Sequence, residues 1–291
     1  MGIGKVCCHL LLEELKAGKK GGKMLQLGRQ YILFDRSFLN TCAKQHNFVL
    51  RPLENIELSF DAGLARRGFL NDTSFFQMLG FDEVESLDYS PYEDATIIWD
   101  MNKPIPECYW EQYDTILDGG TGEHVFHFPQ FMENIYRMLK PGGKIIHLSP
   151  SHNYVDHGFY MFSPTIHFEY YAANHFKIVS SLLIESLAGR KSAHVYSYQP
   201  GSLKKFDRGG FGKQILDIFF IAEKTPDSMC GAIPQQLSNQ MVWSKAPTSP
   251  IAPRKKSVAS KLWRKTVKPL LKAFTPSSSP KMPPLLAKYP Q

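Results

Sequence analysis

Between residues 113 and 150, apolar and polar positions follow the order of a strand, a helix and a second strand. Tyr113–Leu117 is a short apolar run that stops at Asp118, and two glycines that let the backbone turn sharply come next. The following segment repeats apolar residues at helical spacing and ends at the Lys-Pro-Gly-Gly sequence of 140–143. Lys144–Leu148 is a second apolar run of strand length. This pattern predicts a parallel crossover unit, which belongs to an α/β sheet.

Five further apolar runs have the length of strands and extend this unit to a predicted sheet of seven strands. The last of them, Leu216–Glu223, is apolar throughout, which is typical of a central or buried strand, and we expect the last two strands to be antiparallel. The other four are Met24–Gly28, Asp82–Leu87, Ala95–Trp99 and Phe176–Glu185. Helical patterns outside the crossover unit occur at Cys8–Leu15, Ser37–Gln45, Gly68–Leu79 and Phe162–Asn174. Lys191–Tyr198 is interpreted as part of a loop or a hairpin.

Composition divides the chain into three parts. Residues 1–22 form an N-terminal helical segment, and residues 23–225 contain all the predicted strands. After Thr225 the composition changes to Pro, Ser, Gln and Lys, so residues 226–291 are predicted to be a basic, low-complexity tail.

The net charge of +7 is concentrated in this tail, which holds ten Lys or Arg residues and no acidic residue between positions 246 and 291. The rest of the chain has the remaining 24 basic residues and all 27 acidic residues, so the net charge of the body is about −3. Because a body of that sign is poorly suited to a phosphate backbone, nucleic acid is not an expected partner.

The five cysteines include no pair at the two-residue spacing of a zinc knuckle or redox motif, and their odd number argues against a disulfide framework. No apolar run reaches the length of a membrane span, and no secretory h-region precedes a cleavage site. We therefore expect a cytoplasmic protein in a reducing compartment.

Acidic residues end the second, third and fourth predicted strands, at Asp88, Asp100 and Asp118. A carboxylate after the second strand of a nucleotide-binding sheet can accept both ribose hydroxyls. With the Lys-Pro-Gly-Gly sequence before the fifth strand and the Glu-His-Val after the fourth, this order resembles the class I S-adenosylmethionine-dependent methyltransferases. The likeness covers about residues 24–224. Within the class, the segments SLDYSPYEDA, IIWDMN and HGFYMFSP resemble a bacterial group associated with polysaccharide or secondary-metabolite pathways.

The resemblance implies a Rossmann-like, seven-stranded, mostly parallel sheet that binds S-adenosylmethionine. Asp88 and Asp100, with the neighbouring Tyr89 and Met101, would hold the adenosine. The methionine end would lie between Leu27, Gly28 and Arg29 on one side and Asp118 and Gly119 on the other. The family's first motif carries an acidic residue and three glycines, whereas this chain has one glycine and no acid there. Arg29 could pair with the cofactor carboxylate instead, or the site could be degenerate.

His124 follows Glu123 just beyond the fourth strand, where a methyl acceptor would lie. A neutral imidazole could take the proton of a hydroxyl as the methyl group transfers, so His124 is the candidate general base, although it could also cap the next helix. The expected acceptor is an oxygen of a sugar or small metabolite. His124, His127, His152 and His157 could together hold a transition metal, but ordinary cleft histidines are the favoured interpretation and no metal is assigned.

The tail segment 257–274 would be amphipathic if helical. One face carries Trp263, Val267, Leu270 and Phe274, and the other is basic, which suits an anionic membrane surface. A solvated, disordered tail is the alternative. For the whole chain, the alternative to an enzyme is a catalytically inactive methyltransferase-fold scaffold in a glycan or metabolite assembly pathway.

Overall fold

A computed structural model of the chain describes residues 2–16, 21–186, 192–207, 209–237, 239 and 282–290. Its strands and helices follow the order β1 (Gly2–Ile3), α1 (Lys5–Lys16), β2 (Lys23–Leu27), β3 (Tyr31–Ile32), α2 (Arg36–Gln45), α3 (Ala62–Arg66), α4 (Asp72–Leu79), β4 (Glu83–Asp88), β5 (Ile97–Ile98), β6 (Tyr113–Asp118), α5 (Phe128–Met138), β7 (Leu139–His152), α6 (Thr165–Ala173), β8 (Lys177–Ser186), β9 (Ser192–Ser197), β10 (Ile215–Glu223) and β11 (Leu285–Pro290). Among the described helices, none combines the length and the apolar character that crossing a membrane requires.

Within the described residues, a mixed sheet of nine strands forms the centre of the molecule, in the order β11-β9-β8-β10-β7-β6-β2-β4-β5. Five neighbouring strands of this sheet are parallel, in the spatial order β5-β4-β2-β6-β7. Numbered by their order along the chain, these are the third, second, first, fourth and fifth parallel strands. This is the order of a doubly wound, Rossmann-like sheet, in which the chain reverses direction across the sheet between β2 and β6. The α/β class and the mostly parallel sheet are confirmed.

The other side of the sheet is antiparallel. Strand β10 lies between β7 and β8 and is antiparallel to both, as expected for the last strand pair. The sheet has nine strands rather than the predicted seven because β9 forms a hairpin with β8 and β11 adds to β9. Composition alone could not reveal β11, because an edge strand is held by backbone hydrogen bonds that any residue except proline can donate.

Helices cover both faces of the sheet, so each central strand is buried on both sides. In β10 the side chains alternate between the two cores: Phe219 and Ile221 join the core with α1, α2 and α4, whereas Ile218 and Phe220 join the core with α5 and α6. This alternation follows from the two-residue period of a strand. It explains why the sequence of β10 is apolar at nearly every position.

Helix α4 begins and ends where local chemistry requires it, which refines its predicted bounds. Helix α4 begins at Asp72 rather than at residue 68 because the Asn71 side chain accepts a hydrogen bond from the Thr73 N–H. It ends at Leu79 and is capped by Gly80, whose φ of 113° is a left-handed conformation that glycine adopts without strain. Helix α3 lies between the helical patterns Ser37–Gln45 and Gly68–Leu79 and was not predicted.

The chain continues in contact with the domain beyond Thr225. The Met229 N–H donates to the Asn174 carbonyl, and the Asn174 side chain forms two hydrogen bonds with the backbone of Ala232. Near the end of the tail, Tyr289 of β11 stacks on His9 of α1 with ring centroids 4.6 Å apart. The domain boundaries stay predictions, and the predicted amphipathic helix at 257–274 lies outside the described residues.

Candidate functional site

A cleft of about 420 Å³ opens at the carboxyl ends of the parallel strands, where β2, β4 and β6 lie side by side. This is the switch point at which doubly wound sheets bind their ligands. Of the residues predicted to bind cofactor or to act in catalysis, seven line the cleft: Gly28, Arg29, Asp88, Tyr89, Asp100, Met101 and His124. The other three, Leu27, Asp118 and Gly119, do not line it.

The turn after β2 approaches the cleft closely because residue 28 is a glycine. Gly28 has a φ of 71°, and a Cβ there would lie 2.9 Å from the Thr121 hydroxyl. Its N–H donates to the Leu87 carbonyl at 2.7 Å, which joins the ends of β2 and β4. The turn therefore tolerates no larger side chain, and the floor of the cleft is backbone.

Asp88 ends β4 at the cleft with one carboxylate oxygen engaged. Its Oδ1 accepts a hydrogen bond from the Ser90 N–H at 3.1 Å, at the start of a short 3-10 helix. Its Oδ2 accepts no hydrogen bond from the part of the chain that the structure describes, and it lies 3.7 Å from the position of a Gly28 Cβ. Asp88 thus presents an available acceptor to the cleft.

Asp100 stabilises its own turn while lining the same cleft. Its Oδ1 accepts hydrogen bonds from the side-chain amide and the backbone N–H of Asn102, at 2.9 and 3.0 Å. These bonds, with the nearby Lys103, lower the pKa of Asp100, which keeps the carboxyl ionised. Asp100 therefore combines the turn-capping role with a position suited to a ligand.

Two buried polar atoms of residues that line the cleft have no hydrogen-bond partner among the described residues. They are the donor Trp99 Nε1 and the acceptor Gln30 Oε1. The Gln30 side chain is held by donation from Nε2 to the Leu27 and Gly28 carbonyls, and it lies where a Cβ of Gly119 would meet it. Because buried polar atoms are normally paired, both atoms are candidates for ligand contacts. Sequence reasoning missed both residues.

Arg29 lines the cleft, but its guanidinium is engaged within the protein. It forms two parallel hydrogen bonds to Asp72, from Nε at 2.8 Å and from Nη2 at 2.5 Å, and a third to the Glu93 carbonyl. It also lies over the Phe60 ring at 4.5 Å, and the Asp72 side chain is fully buried. Such a bidentate pair leaves little of the guanidinium for a cofactor carboxylate.

Asp118 is fully buried beneath the cleft and organises the loop that follows β6. Its carboxylate accepts hydrogen bonds from the N–H groups of Thr121 and Gly122 and lies 2.8 Å from His147 Nδ1. The opposite nitrogen of His147 lies 2.8 Å from the Tyr171 hydroxyl. Burial alone would raise the pKa of Asp118, but the His147 hydrogen bond and the two N–H donors outweigh it and lower that pKa.

His124 lies at the edge of the cleft beside Glu123 and His157. Its side chain is 47% exposed, and its ring centroid is 5.1 Å from that of His157. Burial, and then the charge of His157, lower the pKa of His124, so the imidazole is neutral at neutral pH and can accept a proton. Of the four histidines considered together, the structure brings only His124 and His157 into one group; His127 and His152 lie outside it.

Glu123 was not singled out from the sequence, although its place next to His124 was a signal. The side chain is fully buried, and neither carboxylate oxygen has a hydrogen-bond partner among the described residues. Burial, and then the charge of Asp118, raise the pKa of Glu123 to about 8. Such a group in a native site calls for an explanation.

A second cavity of about 650 Å³ lies near this cluster and is lined by both apolar and charged residues, among them Lys5, Phe34, Arg67 and Asp217. Tyr154 also lines it, and the Tyr154 hydroxyl donates to Asp217 at 2.5 Å. The Tyr154 ring centroid is 5.5 Å from that of His157. Successive ring contacts therefore run from Tyr154 at this cavity through His157 to His124 at the edge of the cleft.

Comparisons with known proteins do not identify the chain. No family model matches it, and no curated protein matches it. Similar solved structures include a Burkholderia thailandensis 1,6-didemethyltoxoflavin-N1-methyltransferase with S-adenosylhomocysteine bound, at 14% identity over 76% of this chain and 78% of that one, with a TM-score of 0.41.

A putative methyltransferase from Bacillus halodurans is 11% identical over 75% of this chain and 98% of that one, with a TM-score of 0.38. The N-methyltransferase NodS from Bradyrhizobium japonicum is 12% identical over 75% and 94%, with a TM-score of 0.37. Likenesses this distant do not decide function, which has to be argued from the site itself.

Proposed function

We propose that the protein is an S-adenosylmethionine-dependent methyltransferase. The observation that carries the proposal is Asp88, a carboxylate with an available oxygen, at the end of the second parallel strand and facing a cleft at the switch point of a Rossmann-like sheet. Asp100 after the third strand and the backbone floor at Gly28 complete a surface of the kind that a nucleoside requires.

The residues present fit this cofactor, although the contacts proposed at its methionine end differ from those the sequence suggested. Asp88 would accept the ribose hydroxyls, and Asp100 and the unpaired Trp99 N–H would face the base. At the methionine end, the unpaired Gln30 carbonyl oxygen is a suitable acceptor for the ammonium group, whereas Arg29 is engaged by Asp72. When bound, the cofactor supplies an electrophilic methyl group on a sulfonium. Asp118 and Gly119 would lie beneath the cofactor and fix the shape of the loop that follows β6.

The proposed acceptor is an oxygen of a sugar or small metabolite. The second cavity offers charged groups together with apolar walls, and ring contacts connect it to His124 at the edge of the cleft. A neutral His124 can accept the hydroxyl proton while the protein holds the acceptor in line with the methyl group.

Binding of nucleotide ligands tests the cofactor assignment. S-adenosylhomocysteine should raise the melting temperature of the full chain, whereas NAD and ATP at equal concentration should not, because the cleft offers a carboxylate and an amide rather than a phosphate site. A shift with NAD or ATP alone would contradict the proposal.

Transfer of labelled methyl groups to a panel of sugars and small metabolites tests the acceptor class. His124→Ala should lower turnover by about 10²–10⁴ while leaving affinity for S-adenosylhomocysteine unchanged. Near-normal turnover would remove His124 from the proton transfer.

A non-catalytic scaffold in a glycan or metabolite assembly complex remains the second candidate. It would account for the Arg29–Asp72 pair, which leaves little of the guanidinium for a cofactor carboxylate. Absence of binding to S-adenosylhomocysteine by the full chain would support it. Binding of anionic vesicles through the basic tail stays a separate prediction for either function.

A further inference from the structure

The buried carboxylate of Glu123 lies in a group with two histidines, on two different segments of the chain. Glu123 and His124 belong to the short 3-10 helix Gly122–His124 after β6, and His157 belongs to the loop after β7. Glu123 Oε1 is 3.5 Å from His157 Nε2 and 3.9 Å from His124 Nε2. One ligand atom from each of the three residues lies within 4.8 Å of the other two.

These separations are too long for hydrogen bonds, so the two imidazoles do not satisfy the carboxylate. They are close to the spacing of atoms that share one metal ion, because ligands about 2.0–2.2 Å from a metal lie about 3–3.5 Å apart around it. Protonation of Glu123 would remove its charge but would leave the new O–H donor without an acceptor among the described residues. A cation at the centre of the group would satisfy all three side chains.

The backbone is arranged so that the second segment approaches the first. The N–H groups of Phe159 and Tyr160 both donate to the Glu123 carbonyl, at 2.8 and 3.2 Å. A Cβ on Gly158 would lie 2.9 Å from that carbonyl oxygen and 3.2 Å from His124 Nδ1. Only glycine fits there, so the loop that carries His157 is held directly against Glu123 and His124.

We propose that Glu123, His124 and His157 form a binding site for a divalent transition metal. Two imidazoles and one carboxylate are the ligand set of catalytic zinc sites and of mononuclear iron sites, which keep coordination positions open. The exposed sides of His124 and His157, 47% and 34% accessible, leave room for such positions.

The consequence for chemistry rests on the proposed function, because His124 also lines the cleft. An acceptor hydroxyl bound at an open position of the metal would lose its proton more readily, since a metal ion lowers the pKa of an oxygen that it coordinates. In the metal-bound protein, His124 is then a ligand rather than the base.

Zinc binding by the chelator-treated full chain, measured by competition with a chromophoric chelator, tests the site. Glu123→Gln and His157→Ala should each weaken zinc binding by about 100-fold or more, because loss of a direct ligand should exceed the 10- to 100-fold cost of losing a residue that only orients one. His157 is partly exposed, so its replacement leaves the fold intact, as circular dichroism should verify.

Matched controls separate this site from other histidines. His127→Ala and His152→Ala should bind zinc like the parent chain, because neither residue belongs to the group. A second group, His9, Cys42 and His46, could also bind zinc. The His46→Ala variant should therefore still bind the zinc that the His157→Ala variant loses. Unchanged affinity in both Glu123→Gln and His157→Ala, or no zinc binding by the parent chain, would overturn the proposal. Neither cofactor nor acceptor is present in this experiment, so its failure would leave methyl transfer standing.

Discussion

The two ends of the cleft use the same residue types in opposite ways. At the β4 and β5 end, Asp88 and Asp100 stand at the surface of the cleft and make hydrogen bonds mainly to their own turns. At the β2 and β6 end, Asp118 is fully buried against His147, and Arg29 is paired with the buried Asp72. A charged residue after a strand is therefore available to a ligand at one end and consumed by the fold at the other. Burial and the distant partner make the difference, and neither is visible from position along the chain.

The largest expected effect is the loss of the buried carboxylate at the β6 end. Asp118→Ala should lower the free energy of unfolding by about 3–5 kcal/mol, because the N–H groups of Thr121 and Gly122 and the buried His147 ring lose their shared partner. Denaturant titration measures this. The matched control, Asp100→Ala, removes a strand-end carboxylate from the open side and should cost at most about 1 kcal/mol. Equal losses of unfolding free energy in the two variants would contradict the difference between the two ends of the cleft.

Lowering the pH should remove the stabilisation that the buried Asp118 provides. The folded protein holds the pKa of Asp118 below its ordinary value, so the unfolded chain takes up a proton at higher pH than the folded chain does. The stabilisation is therefore fully present above the unfolded pKa of about 3.9 and is lost as the pH falls through the lower folded pKa. Asp118→Asn should flatten this part of the stability curve. An Asp118→Asn curve as steep as that of the parent chain would assign the acid sensitivity to other groups.

Arg29 tests whether the methionine end is closed by the fold or open to the cofactor. Arg29→Met should lower the free energy of unfolding by about 3 kcal/mol, because the buried Asp72 loses its charged partner and keeps only backbone N–H donors. Affinity for S-adenosylhomocysteine, measured by calorimetry in the folded variant, should change little. A large loss of affinity with unchanged stability would show instead that Arg29 serves the cofactor carboxylate.

Asp88 should behave in the reverse manner. Asp88→Ala should weaken S-adenosylhomocysteine by about 1.5–3 kcal/mol through lost charge-assisted hydrogen bonds, with only a small effect on stability. Calorimetry and denaturant titration on the same variant give both values. Undiminished affinity would remove Asp88 from the site and make both ends of the cleft structural.

Periodicity predicted most of the fold, since strands buried on both faces and amphipathic helices leave strong patterns. The strands β2, β4 to β8 and β10 and the helix of the crossover unit follow from that signal, and so do the places of Asp88 and Asp100 at one edge, whereas β3 was not predicted. The sequence could not show that Arg29 meets Asp72, or that Asp118 meets His147, because each pair joins residues far apart in the chain. For the same reason, the sequence could not show that Glu123 and His157 lie close together, which depends on the close approach of the loop at Gly158.

The smallest predicted effect concerns Gln30, which lines the cleft just after the Gly28 turn. Gln30→Ala should weaken S-adenosylhomocysteine by about 1 kcal/mol, the value of one hydrogen bond, and should leave the affinity for adenosine unchanged. Equal losses for both ligands would place Gln30 at the adenosine end or show a general distortion of the turn.

The most direct test of the central claim is a calorimetric titration of the full chain with S-adenosylhomocysteine and, separately, with adenosine. If the cleft is a methyltransferase cofactor site, S-adenosylhomocysteine should bind at one site per chain and more tightly than adenosine, and Asp88→Ala should weaken both ligands. No binding of S-adenosylhomocysteine by the parent chain, or equal binding by the Asp88→Ala variant, would contradict the account.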